Sequence, residues 1–364
     1  MRVGFDARLI RYPGVGRYIA NALQGLAAQS QVDLVVYAPD TDSAARWQAT
    51  APAWTVRVVC ARSPGVREQI IMPRLIAQDR IELFHAPHYV IPLLTTCRLA
   101  ITLHDLVYLK FPASINGVMR LYYRFMIQQA LQRAELILCD SQFTMREIDI
   151  TGHKTKWIPI GISPDFTPAK AQDISDFRSK HQLPNYLLFV GTWKPWKNVK
   201  RLLEAFEQVL HSGYTGQLVL AGKAARHQID LTEHLRRLAP RVTVLGAVSE
   251  TDLPVLYSAA DALVMPSLYE GFGLPVLEAM ACGTPVVVAQ AGPLPEVAGE
   301  AGIYFDPLDV RSMAQAILLV VQQPQRRSAL IERGLQQARL FSIARMGQSL
   351  REAYQAVHEE FAVP

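Results

Sequence analysis

The feature that most constrains this chain is a repeated alternation of short β-branched runs with longer amphipathic stretches. Residues 1–165 contain six such runs: VGFDA, VDLVVYAP, VRVVCA, LFHAP, LAITLHD and LILCDS. The stretches between them, such as GRYIANALQGLAAQ, repeat their apolar residues at spacings of three and four, as one face of a helix does. Because strands alternate with helices, the pattern predicts a parallel sheet with crossover helices.

The same alternation begins again in the second half of the chain. Residues 162–182 are rich in proline and polar residues, and we interpret them as a linker. Six further strand candidates follow: YLLFVG, GQLVLAG, VTVLG, DALVMPS, TPVVVA and AGIYFDP. The sequence therefore predicts two Rossmann-like, doubly wound α/β domains, 1–165 and 166–341. Residues 342–364 are predicted to form a helix that packs back on the first domain.

Composition excludes several classes of protein. The chain has 364 residues, of which 50% are hydrophobic and 19% charged, so it can bury two cores and is not disordered. Its four cysteines are widely separated and lie in apolar sequence, which predicts buried free thiols in a reducing compartment. The sequence shows neither a signal peptide nor a long apolar run, so we expect a cytoplasmic protein.

The net charge of +5 comes from the first half of the chain. Residues 1–165 carry 18 Lys and Arg against 13 Asp and Glu, whereas the remainder carries 19 of each. This excess is too small to indicate nucleic-acid binding, but it suits an anionic small molecule or an anionic membrane surface. Residues 62–80 combine four arginines with apolar residues, which predicts either a helix on the membrane surface or one that covers the first sheet.

The segment PSLYEGFGLPVLEAMACGTPVVVA carries the strongest chemical pattern. Glu270 ends a turn after a strand, and Glu278 follows within the next helix. Backbone N–H groups at a helix start attract anions, and carboxylates accept hydrogen bonds from sugar or ribose hydroxyls. Taken alone, Glu270 could equally cap a turn and Glu278 could be a solvated helix residue. The residues between the acids that we assign to substrate binding are Gly271, Phe272, Gly273 and Leu274.

As a whole, this segment resembles the signature of retaining nucleotide-sugar glycosyltransferases of family 4, which have the GT-B fold. The two acids eight positions apart, the GFG between them, Pro275 and the CGTPVV strand all match. The resemblance implies two domains that face each other across a cleft. It also implies that a sugar passes from a nucleotide diphosphate to a hydroxyl, with Glu270 at the donor sugar and Glu278 at the ribose.

The segment VGTWKPWKNVKRLLEAF opens the second domain and resembles the branch of this family that has the pattern G-T-x-x-P-R-K-N. Trp196 stands in place of the arginine, and Lys197 is kept. The resemblance implies that Lys197 binds the diphosphate, and Lys194 is a candidate to replace the missing charge. We assign Gly191 and Thr192 to the same site. This branch resembles bacterial mannosyltransferases of polysaccharide and O-antigen assembly, so GDP-mannose is the expected donor, with UDP-glucose or another UDP-sugar as the alternative.

In the first domain, candidate site residues follow two of the predicted strands. Gly14 and Gly16 precede a helix, where they permit either close approach to a ligand or simply a tight turn, and Arg17 is a candidate phosphate contact. The resemblance implies that this loop closes over the donor phosphate and the acceptor. His104 ends another strand, where a neutral imidazole could bind a sugar hydroxyl, or pair with Asp105 to structure a turn. In the family, a histidine at this position contacts the donor sugar.

Lesser candidates and expected absences complete the prediction. Gly222 and Lys223 follow one strand of the second domain, and Val248 resembles the position whose backbone meets the nucleotide base. No HExxH motif or cysteine cluster is present, so we expect neither a metal nor another cofactor. The expected partners are the nucleotide-sugar donor and a glycan or lipid-linked glycan acceptor, with peripheral contact to the inner face of the cytoplasmic membrane through the first domain.

Three other functions remain compatible with the same fold. A sugar-nucleotide epimerase would need no acceptor. A phosphorylase would need a pyridoxal-phosphate lysine pocket, which the sequence does not indicate. A non-catalytic glycosyltransferase-like subunit would be expected to lack Glu270, Glu278 or Lys197, and all three are present.

Overall fold

The computed structural model describes residues 1–29, 32–61, 63–148, 154–222 and 230–360, and these form two compact units. Unit 1 joins Met1–Gly161 to Phe341–Pro364, and unit 2 is Ile162–Leu340. The change from unit 1 to unit 2 after Gly161 lies four residues before the boundary predicted at 165.

Unit 1 contains a parallel sheet of seven strands in the order β3-β2-β1-β4-β5-β6-β7. Six of these strands coincide with the predicted runs. The seventh was missed because its sequence, KTKW, has no apolar or β-branched run. The strands are β1 Arg2–Asp6, β2 Asp33–Ala38, β3 Thr55–Val58, β4 Leu83–Ala86, β5 Arg98–Leu103, β6 Leu136–Cys139 and β7 Lys154–Trp157.

The helices of unit 1 come from both ends of the chain. They are α1 Val15–Ala27, α2 Thr41–Thr50, α3 Glu68–Gln78, α4 Val107–Lys110, α5 Gly117–Arg133, α6 Gln142–Glu147 and α15 Ile343–Glu360. Helix α15 packs against α1, and the two backbones meet at Gly25 and Gly347. A Cβ atom added at Gly347 would lie 2.2 Å from the carbonyl carbon and oxygen of Gly25. The last helix therefore completes the core that the first helix begins.

A chain of buried hydrogen bonds also links α15 to the centre of the unit 1 sheet. The hydroxyl of Tyr354 lies 2.6 Å from Nδ1 of His85, whose Nε2 lies 2.8 Å from Oγ1 of Thr102. The same oxygen lies 2.7 Å from the hydroxyl of Tyr18. Burial, with a smaller effect of His104, lowers the pKa of His85 to about 3, so the imidazole is neutral at neutral pH. A neutral imidazole can donate at one nitrogen and accept at the other, as this chain requires.

Unit 2 contains a parallel sheet of six strands in the order β10-β9-β8-β11-β12-β13. All six predicted strands are present. They are β8 Tyr186–Val190, β9 Gln217–Ala221, β10 Val242–Gly246, β11 Ala262–Met265, β12 Val286–Ala289 and β13 Gly302–Phe305. The central strands β8, β11 and β12 are almost wholly buried, as expected for apolar strands covered by helices on both faces.

The predicted linker, residues 162–182, is wrong in one respect, because much of it is a helix of unit 2. Helix α7, Ala171–His181, packs against α10 and buries Phe177. Because most residues of α7 are charged or polar, its apolar pattern is too weak to predict the helix from the sequence. The other helices of unit 2 are α8 Val199–His211, α9 Thr232–Leu238, α10 Leu253–Ser258, α11 Leu274–Ala281, α12 Leu294–Ala298, α13 Val310–Val321 and α14 Pro324–Ala338.

The four cysteines are free, and the prediction that they are buried is confirmed for two of them. Cys139 and Cys282 are buried, Cys97 is partly buried and Cys60 is exposed. Cys60 lies just beyond the end of β3, the edge strand of unit 1, so its apolar neighbours in sequence do not enclose it. Across the described residues, no helix is both long and apolar enough to cross a membrane.

Candidate active site

In unit 2, the loops after two neighbouring strands bring Lys197 and Glu270 together. Strands β8 and β11 pair in the middle of the sheet, and each loop leaves from the carboxyl end of its strand. The ammonium Nζ of Lys197 lies 2.6 Å from Oε1 and 2.7 Å from Oε2 of Glu270. Their side chains are only 16% and 10% exposed. Two residues that the sequence assigns to one site therefore form a largely buried ion pair.

Asn198 and two backbone groups hold these loops in place. Lys197 ends the short 3-10 turn Pro195–Lys197, and Asn198 follows in the left-handed conformation, with φ 58°. Nδ2 of Asn198 donates to the carbonyl oxygens of Pro266, at 3.0 Å, and Pro307, at 2.7 Å. The N–H of Leu268 donates to the carbonyl of Trp196, at 2.7 Å. Sequence reasoning missed Asn198 as a positioning residue, although it directly follows Lys197 at the start of α8.

The ion pair defines what Lys197 can bind. An ammonium group has three N–H donors, and the two oxygens of Glu270 accept two hydrogen bonds from it. The third donor can bind a phosphate oxygen while the pair stays intact. In turn, Glu270 keeps further lone pairs for donors such as sugar hydroxyls. The geometry thus suits an anionic group beside Lys197 and a hydroxyl-bearing group beside Glu270.

Trp196 stands where the G-T-x-x-P-R-K-N branch of the family has an arginine. It is buried in unit 2, with 8% of its surface exposed. The ammonium of Lys194 lies 5.9 Å from the centre of its ring, within the range of a cation–π interaction. The loop therefore keeps a second positive charge on a side chain that is partly buried. That Lys194 replaces the charge of the missing arginine stays a prediction.

Helix α11 begins directly after the predicted site residues Gly271, Phe272 and Gly273. Gly273 precedes the helix with φ 107°, and a Cβ atom there would lie 2.8 Å from Cδ2 of Leu294. Gly271 is partly exposed, Phe272 is 6% exposed, and Leu274 is the first residue of the helix. The first residue of the helix therefore follows Glu270 by four positions in the sequence.

Glu278 is not a solvated helix residue, which was the alternative interpretation. It is 4% exposed, and its Oε2 accepts a hydrogen bond of 2.7 Å from the hydroxyl of Tyr257. Tyr257 is completely buried on α10 and was not singled out in the sequence, because its distance of 21 residues from Glu278 carries no local pattern. The contact of Glu278 with a ribose stays a prediction.

The loops after β8, β9 and β10 also meet closely. A Cβ atom at Gly222 would lie 2.1 Å from the carbonyl oxygen of Gly191, and the N–H of Gly222 donates to the carbonyl of Gly246 at 2.6 Å. Only a glycine fits at 222 without displacing a backbone. Thr192 and Val248 are partly buried in these loops. Lys223 lies outside the described residues.

In unit 1, the loop after β1 contains Gly14 and Gly16. Gly14 has φ 78°, and no atom would lie within 4 Å of an added Cβ. At Gly16 an added Cβ would lie 2.1 Å from the carbonyl oxygen of Ile10, so its close approach is to its own loop. The tight-turn interpretation therefore explains Gly16, whereas Gly14 leaves open space beside the backbone. Arg17 is partly buried at the start of α1.

His104 has a different partner from the one expected. Its Nδ1 lies 2.5 Å from Oδ2 of Asp140, and its Nε2 lies 3.0 Å from the carbonyl oxygen of Pro87. A carbonyl oxygen only accepts, so Nε2 carries a proton. Burial lowers the pKa of His104, but the charge and hydrogen bond of Asp140, with a smaller effect of Asp105, raise it overall. Both ring nitrogens thus face hydrogen-bond acceptors, an arrangement that stabilises the protonated form.

This arrangement limits how His104 can touch a substrate. Its side chain is 14% exposed, and its ring packs edge-on against Tyr18 with 4.8 Å between the centres. Either ring nitrogen must exchange a hydrogen bond within unit 1 before it can bind a sugar hydroxyl. His85 belongs to the buried chain described above, and the ring of His88 lies 3.9 Å from that of Tyr89. Among the described residues, no group of three or more His, Cys, Asp or Glu side chains could hold a metal ion.

Comparison with known families identifies the two units. The model of group 1 glycosyl transferases matches residues 172–337, and the model of Glycosyltransferase Family 4 matches residues 12–166. The chain belongs to glycosyltransferase family 4. The matches cover most of both units, and the family 4 resemblance predicted from the sequence is confirmed.

Relatives of this glycosyltransferase include proteins that are named for mannose transfer. It is 29% identical over 368 residues to the O-antigen chain mannosyltransferase B of Escherichia coli, covering 94% of this chain and 96% of that protein. It is 31% identical over 242 residues to the O-antigen chain mannosyltransferase RfbU of Salmonella typhimurium, covering 65% and 64%.

Solved structures confirm the predicted GT-B fold. Sucrose-phosphate synthase from Thermosynechococcus elongatus matches with a TM-score of 0.79 and 22% identity over 99% of this chain and 100% of that one. Anabaena HepE in complex with UDP and glucose matches with a TM-score of 0.79 and 21% identity over 98% and 100%. At these identities the likeness concerns the fold.

Proposed function

We propose that this glycosyltransferase transfers mannose from GDP-mannose to a hydroxyl of a glycan or lipid-linked glycan during bacterial cell-surface polysaccharide synthesis. The observation that carries the proposal is the buried Lys197–Glu270 pair at the carboxyl edge of the unit 2 sheet. The choice of mannose is supported by the two O-antigen mannosyltransferases at 29% and 31% identity. The alternative donor, a UDP-sugar, is supported by the UDP and glucose complex of HepE.

The proposed reaction breaks one bond at the anomeric carbon and forms another there. The bond to the diphosphate oxygen breaks, and the acceptor hydroxyl oxygen bonds to the same carbon with retention of configuration. The hydroxyl proton passes to the departing diphosphate. In this scheme, the third N–H of Lys197 stabilises the charge that develops on the leaving phosphate, and Glu270 holds both Lys197 and a hydroxyl of the sugar. No protein group is assigned as a general base.

We also propose that the transfer needs no divalent metal. Lys197 and Lys194 supply positive charge of the kind that binds a diphosphate, and the positive end of the α11 dipole adds to it. These groups belong to the protein itself, so chelation is expected to leave donor binding unchanged.

A thermal-shift screen with GDP, UDP, ADP, GDP-mannose and UDP-glucose tests the donor and the metal together. A ligand at 100 times its Kd stabilises a protein by about 2.7 kcal/mol, so we expect a clear rise in Tm with GDP and GDP-mannose that EDTA does not remove. A rise in Tm with the UDP compounds alone would show that the donor is a UDP-sugar and not GDP-mannose. A rise that EDTA abolishes would overturn metal independence, and no rise with any nucleotide would contradict the catalytic proposal.

The proposed membrane contact involves the outward face of α3. Ile70 is 51% exposed and Ile71 is 36% exposed, and the exposed Arg67 and Arg74 lie at helical spacing on the same side. The opposite side buries Met72 and Ile76 in unit 1, so α3 also covers the sheet, as the second sequence interpretation expected. Arg62 lies outside the described residues.

Vesicle sedimentation tests this contact. The protein is expected to sediment with vesicles that contain anionic lipid and to remain in solution with neutral vesicles, because the face combines apolar area with positive charge. The double variant Ile70→Ser, Ile71→Ser should lose most of this binding while retaining its Tm. Equal sedimentation of the variant and the wild type would rule out this face.

A further inference from the structure

The outward side of α5, Gly117–Arg133, carries three large apolar side chains that are exposed to solvent. Val118 is 80% exposed, Leu121 is 71% exposed and Phe125 is 46% exposed. Their spacings of three and four residues place them on one side of the helix. Single exposed apolar residues are ordinary on a protein surface, but a stripe of three marks a site of interaction.

The opposite side of α5 already holds the helix to its unit. Met126, Ile127 and Ala130 are buried there and belong to the core of unit 1. The fold therefore does not require the outer stripe to be apolar, since the inner side alone supplies the packing contacts of the helix.

Positive charge accompanies the outer stripe. Arg120 and Arg124 lie one helical turn apart on α5, and both are exposed. Within the part of the chain that the structure describes, neither guanidinium group has a carboxylate partner. Helix α5 contains no acidic residue, and residues 83–133 hold five Lys and Arg against a single acidic residue, Asp105. The charge of this surface is therefore largely uncompensated.

Helices α3 and α5 lie on the same side of the unit 1 sheet. Met72 of α3 and Met126 of α5 belong to one core cluster. The residues of β5 in that cluster are Leu99, Ile101 and Leu103, which alternate along the strand and so share one face of the sheet. Both helices therefore cover this face, and their outward sides form the surface above it.

Leu94 lies between the two helices and is 74% exposed. The N–H of its neighbour Leu93 donates to Oε1 of Gln69 on α3, at 2.8 Å, and the carbonyl of Leu93 accepts a hydrogen bond from Arg133 on α5. Exposed apolar residues thus continue from one helix to the other. We call the outward sides of α3 and α5, with Leu94 between them, the basic face.

The acidic residues at the two ends of α3 do not weaken the positive charge of the basic face by exposing a carboxylate. Glu68 is 2% exposed and pairs with the buried Arg8 at 3.1 Å. Asp79, directly after the helix, is 5% exposed and pairs with Arg57. The exposed charges on the outward sides of both helices are therefore those of arginines.

An anionic bilayer matches the basic face better than a second copy of the chain does. Exposed apolar side chains can enter the boundary between headgroups and acyl chains while neighbouring arginines bind lipid phosphates. A second copy would present the same arginines across a two-fold axis, and like charges repel there. The apolar residues also come from two helices and a loop, an extended surface that suits the plane of a membrane.

We propose that unit 1 binds anionic membranes through the whole basic face, with Val118, Leu121 and Phe125 in the bilayer interface and Arg120 and Arg124 on lipid phosphates. The proposal rests on the proposed function, since it extends to α5 and Leu94 the membrane contact proposed there for α3. Because the free energies of the two helices add, removing either contribution lowers the binding strongly.

Sedimentation of the full chain with vesicles of phosphatidylcholine, with and without phosphatidylglycerol, tests the role of α5. We expect the wild type to sediment only with phosphatidylglycerol, and less as NaCl screens the charges. The variant Arg120→Gln, Arg124→Gln should lower the partition coefficient by about tenfold or more, since each arginine near an anionic surface contributes about fivefold. The variant Val118→Ser, Leu121→Ser should lower it by about tenfold or more through loss of apolar area.

Leu308→Ser and Arg236→Gln in unit 2 are the matched controls. Leu308 is 64% exposed and Arg236 is exposed on α9, and neither belongs to the basic face. Both controls should sediment as the wild type does. All variants should keep the wild-type Tm within about 2 °C, because they change exposed side chains. If Val118→Ser, Leu121→Ser melts lower than this, Leu121→Glu alone takes its place.

The outcomes separate this face from the α3 contact and from the donor function. Wild-type sedimentation of both α5 variants would overturn the proposal and leave the α3 contact standing. Failure of the wild type to sediment with anionic vesicles would overturn both membrane contacts. A dimer in sedimentation velocity that the α5 variants abolish would assign the face to a second copy and also overturn the proposal.

The GDP-induced rise in Tm, measured without vesicles, should be the same in the α5 variants as in the wild type. If that rise is missing in the wild type while vesicle binding depends on α5, the donor proposal fails and the membrane face stands.

Discussion

Replacement of Lys197 by alanine is expected to lower kcat for sugar transfer by about 100- to 1000-fold, the usual effect of removing one preorganised donor from a developing negative charge. The assay uses the nucleotide sugar that raises Tm most in the thermal-shift screen. Lys200→Ala is the matched control, because Lys200 is exposed on α8 only three residues away. Its kcat should stay within a factor of about two of the wild type.

The variant also leaves Glu270 without its counter-charge in a site that is 10% exposed. Loss of one partner of a buried pair typically costs about 3–5 kcal/mol, so Tm must be measured beside kcat. The double variant Lys197→Met, Glu270→Gln removes both charges and is expected to recover part of the lost stability without recovering activity. A wild-type kcat in Lys197→Ala or in Glu270→Gln would show that the pair has no part in the chemistry.

Gly347→Ala is expected to destabilise the protein by about 3 kcal/mol or more, although alanine is the better helix former. The added Cβ would lie 2.2 Å from backbone atoms of Gly25, and a backbone cannot move aside as a side chain can. The helices α1 and α15 would have to separate. At about 2–4 °C per kcal/mol for a domain of the size of unit 1, calorimetry should show a fall in its Tm of about 6–12 °C.

Gly117→Ala provides the control for this substitution. Gly117 is also helical, but an added Cβ there would meet no atom within 4 Å, so the variant should be neutral or slightly more stable. If Gly347→Ala melts with the wild type, the close approach of α1 and α15 is not required for the fold. If only Gly117→Ala is destabilised, the reasoning from backbone distances is wrong at both positions.

The fold could be predicted from the sequence where a local pattern decides it. Strands such as β8 and β12 are continuous apolar runs, and burial on both faces follows directly from that composition. Where tertiary contacts decide the structure, the local sequence pattern does not predict it. Strand β7 is polar and pairs only because β6 lies beside it, and helix α7 is held by Phe177 among charged residues. Tertiary context overrides weak local propensity at both places.

The candidate site shows the same division. Lys197, Glu270 and Glu278 could be selected because each belongs to a recognisable segment. Their partners could not, since Lys197 and Glu270 are 73 residues apart and His104 and Asp140 are 36 apart. The pKa of His104 is raised by that second contact, which the sequence could not show.

The division of unit 1 between the two ends of the chain has a consequence for the order in which the protein is made. Unit 2 is one continuous stretch of 179 residues, Ile162–Leu340, and α15 is made after it. At about 5–20 residues per second, a ribosome needs roughly 10–35 s to add that stretch. During this time Gly25 and His85 lack the partners that α15 supplies. The second unit in the sequence is therefore free to complete its core first, and the first unit is finished only after α15 has been made.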